Sequence, residues 1–248
     1  MVQAQDITPQ GNIEDSLRFL RYKESMTDAS HKARTDILAA MLPQAAFDGW
    51  TQKSLRAAVK DTDLPKGAEE LYFPEGPLEV IRFWSEQMNA KIKADLDELD
   101  QPSMKIRDKV TAGVLSSMYA IGPHEEAARR AISRLSLPDA LGQGPKQLWS
   151  AVDTIWRAIG DTSTDGNYYS KRTILAGVIA STLTVWLSDE EPQKPKARKF
   201  LDARIANVMS FEKAKWDFKK RTANMPNPAE VLGALRYGGR KGRRRRRG

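Results

Sequence analysis

Residues 149–172 read WSAVDTIWRAIGDTSTDGNYYSKR. Trp149, Val152, Ile155, Trp156 and Ile159 recur at three- and four-residue spacing, which places them on one face of a helix. Gly160 is suited to end that helix, because glycine adopts the left-handed conformation of a helix C-terminus without steric cost. Asp161 to Asp165 is a run of short polar side chains of the kind that turns and caps a chain. Helical spacing resumes at Asn167. The stretch therefore reads as helix, capped turn, helix. Its density of polar groups also invites a catalytic reading, but it holds no His, and Asp161 and Asp165 suit glycosidase or metal chemistry only beside further carboxylates.

The same helical spacing extends in both directions. Upstream, Ile37, Leu38, Met41 and Leu42 form an apolar stripe, and Leu55, Ala58 and Val59 form a shorter one after Thr51, a candidate N-cap. Leu78, Ile81, Phe83, Trp84 and Met88 follow Pro77, which suits a first helical position. Val110, Val114, Leu115 and Met118 precede Gly122-Pro123, and residues 124–137 form another helix ended by Pro138. Downstream, residues 168–187 and 198–220 are long helices. No alternating runs bounded by hairpin turns occur, so the expected fold is all-α, with nine or ten helices joined by short Pro/Gly turns.

Composition narrows the chemistry. The 248 residues contain no Cys and two His, which removes disulfides and thiolates and leaves little for a metal site or a His relay. The net charge is +8, but seven cations lie in residues 240–248, RKGRRRRRG, so residues 1–239 carry +1. The first twenty residues lack the apolar core of a secretory signal. The longest uncharged run, Thr173 to Ser188, has sixteen residues, short of the ~20 of a membrane span. Leu175, Val178, Ile179, Leu183, Val185, Trp186 and Leu187 crowd this run. A helix apolar on more than one face is buried in a core, at a dimer face or against a lipid.

Residues 45–84, AAFDGWTQKSLRAAVKDTDLPKGAEELYFPEGPLEVIRFW, have the layout of a helix-turn-helix within a three-helix unit and resemble the DNA-binding domain of TetR-type regulators. Their charge opposes that function. Residues 65–75 carry Lys66 against Glu69, Glu70 and Glu75, and an acidic recognition helix repels phosphate. A sequence-specific DNA regulator is the alternative reading, with no sequence-specific DNA binding preferred.

The block at 149–172 strongly resembles the coenzyme Q biosynthesis protein nine family. The matching positions are Asp153, Ile155, Trp156, Gly160, Asp161, Ser163, Thr164, Asp165, Asn167, Tyr169 and Arg172. AAFDGWTQKSLRAA (45–58), FPEGPLE (73–79), PHEEAARRA (123–131) and FLDARIANVMSFEK (200–213) resemble the family at corresponding places, so the likeness spans roughly residues 31–215. Gly166 stands where an apolar residue is usual, Tyr168 where Trp is usual and Ser170 where Thr is usual.

The resemblance implies a TetR-like all-α fold, a homodimer, and a ubiquinone biosynthesis accessory protein that is not an enzyme. Such a protein binds isoprenoid quinone intermediates, needs no cofactor, and presents its lipid to a di-iron demethoxyubiquinone hydroxylase at a membrane. The implied division is a flexible segment (1–30), a vestigial helix-turn-helix domain (31–76), a lipid-binding and dimerisation domain (77–222) and an amphipathic, polybasic tail (223–248). The expected lipid cavity is lined by Val114, Met118, Trp149, Val152, Val178, Ile179 and Leu183. The expected hydroxylase-binding residues are Ile155, Asp165, Tyr168, Tyr169 and Arg172, with Tyr168, Tyr169 and Arg172 exposed. Asp165 suits an N-cap equally well.

In the tail, Val231, Leu232, Leu235 and Tyr237 are spaced to give a short apolar face if helical, and with Arg236 and the cations beyond they suit an anionic membrane surface, with RNA binding as the rival reading. The expected location is the bacterial cytoplasm, peripheral on the inner membrane, or the matrix face of the mitochondrial inner membrane in a eukaryote.

Overall fold

The computed structural model describes residues 13–164 and 166–222. Asp165 and the tail residues Val231, Leu232, Leu235 and Arg236 lie outside the described residues. Among those described there are nine α-helices and no strand, so the fold is all-α: α1 (Ile13–Asp48), α2 (Gln52–Lys60), α3 (Ala68–Tyr72), α4 (Pro77–Asp97), α5 (Ile106–Tyr119), α6 (Glu125–Leu135), α7 (Gln143–Ala158), α8 (Gly166–Ser188) and α9 (Pro195–Thr222). Single 3₁₀ turns lie at Gln101–Ser103 and Pro138–Ala140. α1 runs through residue 30 without a break.

Local chemistry sets several boundaries. The Thr51 hydroxyl accepts a hydrogen bond from the Ser54 backbone N–H at 3.1 Å and caps α2. Pro77 occupies the first turn of α4. At the end of α7 the Asp161 N–H donates to the Trp156 carbonyl at 2.9 Å and the Gly160 N–H to the Arg157 carbonyl at 3.0 Å, with Gly160 at φ +82°. This is the Schellman pattern that a glycine at this position permits.

α1, α2 and α3 pack against one another, and α1 also packs on α6. Trp50 stacks on Trp84 of α4 at 5.6 Å, and its indole N–H donates to the Ala127 carbonyl of α6 at 2.9 Å. Arg34 on α1 pairs with Glu79 of α4 at 3.2 Å beneath the rings of Phe73 and Phe83. These contacts tie the N-terminal helices to the larger bundle through one contiguous core.

In that bundle α4 packs against α5 and α7, and α8 packs against α7 and α9. α5 crosses α7 closely at Gly113, where a Cβ would stand 2.6 Å from Cγ2 of Ile155. Asp189 starts α9 by accepting from the backbone N–H of Lys196 at 2.9 Å and of Ala197 at 3.1 Å.

Candidate functional site

Two features of the bundle stand out. The first is a groove of about 440 Å³ between α4, α5, α6, α7 and α8. Its walls include Trp84, Met88, Met118, Ala131, Ile179 and Leu183. The few polar groups that reach it are amides and hydroxyls, among them Asn89, Gln147 and Thr184. Among the described residues no charged side chain lines it. The Gln147 Nε2 is buried with no hydrogen-bond partner, so the groove margin holds one unused donor. An apolar channel with a few neutral polar groups selects a long uncharged ligand by area, at about 25 cal/mol per Å² of apolar surface covered.

Three of the seven residues expected at a lipid cavity meet here: Met118, Ile179 and Leu183. The other four do not. Val114 and Val152 are fully buried in the core. Val178 turns instead towards a smaller cleft of about 250 Å³ between α5, α7, α8 and α9. Trp149 lies beside Tyr169, with ring centroids 6.4 Å apart. Neighbouring positions on α8 diverge because 100° of rotation per residue sends Val178 and Ile179 to different sides. The walls from α4 and α6 escaped the sequence reading. The α4 stripe was visible, but nothing in the sequence indicated that it faced α8.

The second feature is a charged cluster beneath the α7–α8 turn. Arg172, 1 % exposed, is held from both sides. Its Nε donates to Asp153 at 2.8 Å and its Nη1 to Asp161 at 3.2 Å. The Asp161 carboxylate also accepts from Lys171 and Ser163, both at 2.8 Å. Asp153 pairs in turn with Arg157 at 2.6 Å and accepts from the Tyr168 hydroxyl at 3.3 Å. Burial raises the Asp161 pKa, but the hydrogen bonds from Lys171, Ser163 and Arg172 outweigh it and hold the carboxyl at about 2. Asp161 is therefore a fixed anion at neutral pH, an anchor for α8 with no free proton to trade.

Above this cluster lies an aromatic face. Tyr168 and Tyr169 meet edge to face at 5.0 Å, and Tyr169 is 65 % exposed. The sequence reading placed Tyr168 and Arg172 on this face as exposed groups, and both placements are corrected: Tyr168 is half-buried with its ring against the Arg172 guanidinium, and Arg172 is buried. A guanidinium flanked by two carboxylates is drawn under the turn, where its charge is compensated. Ile155, expected to contact the same partner, is also fully buried and packs over Gly113. Asp153 and Lys171 were missed as anchors. The Asp153–Arg157 spacing of four was the one local signal of the cluster.

Among the described residues no group of three His, Cys, Asp or Glu is placed to hold a metal ion. Among them, too, no helix is long and apolar enough to cross a membrane.

Residues 141–212 match the family model COQ9. This span holds α7, α8 and the charged cluster. Curated relatives extend the likeness. The chain is 29% identical over 196 residues to "Ubiquinone biosynthesis protein COQ9, mitochondrial" of Bos taurus, covering 76% of this chain and 61% of that protein. The protein of the same name from Rattus norvegicus is 29% identical, with 76% and 62% covered, and that of Homo sapiens 27% identical, with 76% and 61% covered. The chain thus spans about three fifths of the length of these relatives. The α7–α8 segment and the charged cluster it holds are thus similar to the COQ9 family at residues 141–212, and about three quarters of the chain aligns with the curated relatives.

Proposed function

We propose that this protein is an accessory protein of ubiquinone biosynthesis, which holds the isoprenoid tail of a quinone intermediate in the α4–α8 groove and presents the ring to a di-iron hydroxylase. The groove of about 440 Å³ carries the reading. It lies within the ~300–1,000 Å³ of small-molecule sites, and its neutral, apolar walls match a prenyl chain. The names of the relatives supply the pathway. The aromatic face formed by the exposed Tyr169 and the half-buried Trp149 and Tyr168 is the docking surface for the hydroxylase, because Tyr and Trp provide large contact area at low ordering cost. The protein works as a homodimer on a membrane surface. The five-residue α3, with Glu69 and Glu70 in its first turn, speaks against the DNA-regulator alternative.

Native mass spectrometry tests the groove. Protein incubated with a prenylated quinone retains it, and Ala180→Trp, which fills the groove from an exposed wall position, abolishes retention. Wild-type protein that takes up no prenylated quinone overturns the reading.

A further inference from the structure

Where the groove ends, the chain does something that core packing does not require. It leaves the groove wall at Ser136 and rejoins it at Gly144. Between these points Leu137 is 49 % exposed and Leu141 is 86 % exposed, and the wall residue Ile132 beside them is 45 % exposed. The loop is well braced. Its 3₁₀ turn is closed by the Ala140 N–H donating to Leu137 at 3.0 Å, and the Ala140 side chain is fully buried. Arg134 holds Asp139 with two hydrogen bonds of 2.9 and 2.6 Å. Two leucines are therefore presented outward from a supported loop, at a standing cost in water.

Charge narrows the choice of what covers them. Asp139, neutralised by Arg134, is the single acid in residues 133–147, and Lys146 is exposed with no ion-pair partner among the described residues. An apolar tip with a surplus cation and no free anion suits an anionic lipid surface, which takes up leucines by area and attracts the cation.

We propose that the α6–α7 loop is a bilayer-contacting lip: Leu137 and Leu141 enter the outer apolar layer of an anionic membrane, with the groove mouth facing it. The proposal rests on the reading of the groove as a lipid site. A prenyl chain then passes from bilayer to groove along a continuous apolar path, without crossing water. The loop is distinct from the polybasic tail.

The chain has no Cys, so Leu141→Cys accepts one environment-sensitive fluorophore, with Lys66→Cys in the α2–α3 loop as the remote control. Vesicles of equal parts phosphatidylcholine and phosphatidylglycerol are expected to shift the label at 141 to the blue and leave the label at 66 unchanged. In a second arm, Leu137→Asp/Leu141→Asp slows uptake of a long-tailed quinone from these vesicles about ten-fold, while uptake of a water-soluble short-tailed analogue and the melting temperature stay at wild-type values. Bound protein whose label at 141 remains in water overturns the proposal. A vesicle-free blue shift that grows with protein concentration also overturns it, assigning the loop to a contact between copies. If neither quinone is taken up but the label at 141 shifts, the groove reading fails and the lip stands.

Discussion

The Arg172 guanidinium lies over the Tyr168 ring, 3.5 Å from its centroid. One face of the cation is covered by the aromatic, while its Nε donates to Asp153 and its Nη1 to Asp161. Arg172 therefore positions the aromatic face from beneath, and what projects from that face is Tyr169. A cation so enclosed contributes through geometry that a lysine cannot reproduce, since only the planar fork reaches both carboxylates and stacks on the ring.

Arg172→Met is expected to lower stability by about 3 kcal/mol, because it leaves two carboxylates facing each other in a largely buried site. Chemical denaturation measures the loss. The double variant Arg172→Met/Asp161→Asn recovers part of it, since the residues are coupled. A single variant as stable as wild type would show that the cluster is wetter than its geometry indicates.

Tyr169→Ala separates docking from packing. Tyr169 is mostly exposed, so its truncation should change stability by no more than about 0.5 kcal/mol. Capture of a di-iron hydroxylase should nevertheless fall sharply in a pull-down. A large drop in melting temperature with unchanged capture would return Tyr169 to a packing role.

Acid should loosen the α7–α8 turn. The Asp161 pKa is lowered from 3.8 to about 2, so its contribution is present in full above pH 4 and disappears as pH falls towards 2. That contribution is about 2 kcal/mol. Asp161→Asn flattens the pH dependence of stability across this window, and urea melts between pH 5 and pH 2 read the difference.

Gly113→Ala tests the crossing of α5 and α7. The added methyl would meet Ile155 at 2.6 Å, an overpacking expected to cost about 1–3 kcal/mol. Ile155→Ala, which removes both γ carbons, costs less in the Gly113→Ala chain than in wild type if the clash is direct. Thermal melts of the single and double variants decide the point.

Much of the architecture was legible locally. The stripes Ile37, Leu38, Met41, Leu42 and Leu55, Ala58, Val59 are buried as their spacing requires, Thr51 caps α2, and Gly160 ends α7. Each depends on residues within a turn or two of one another, where helical periodicity and capping rules apply directly. The likeness of residues 149–172 to one family was equally local, and the comparisons bear it out.

What the sequence by itself determined is an all-α chain, the limits of most of its helices, and the family of its α7–α8 segment. Only the tertiary structure decided which face of each helix meets which neighbour. That choice sent Met118, Ile179 and Leu183 to a groove, Val114 and Val152 to the core, and Arg172 from an assumed surface to the centre of an ion cluster. The reason is physical. Helical spacing sets which residues share a face, but an apolar face is satisfied equally by a core, a ligand or a partner, and a cation goes wherever carboxylates compensate it. Asp153, Asp161 and Arg172 are brought together by the α7–α8 turn, and no single-helix pattern encodes that meeting.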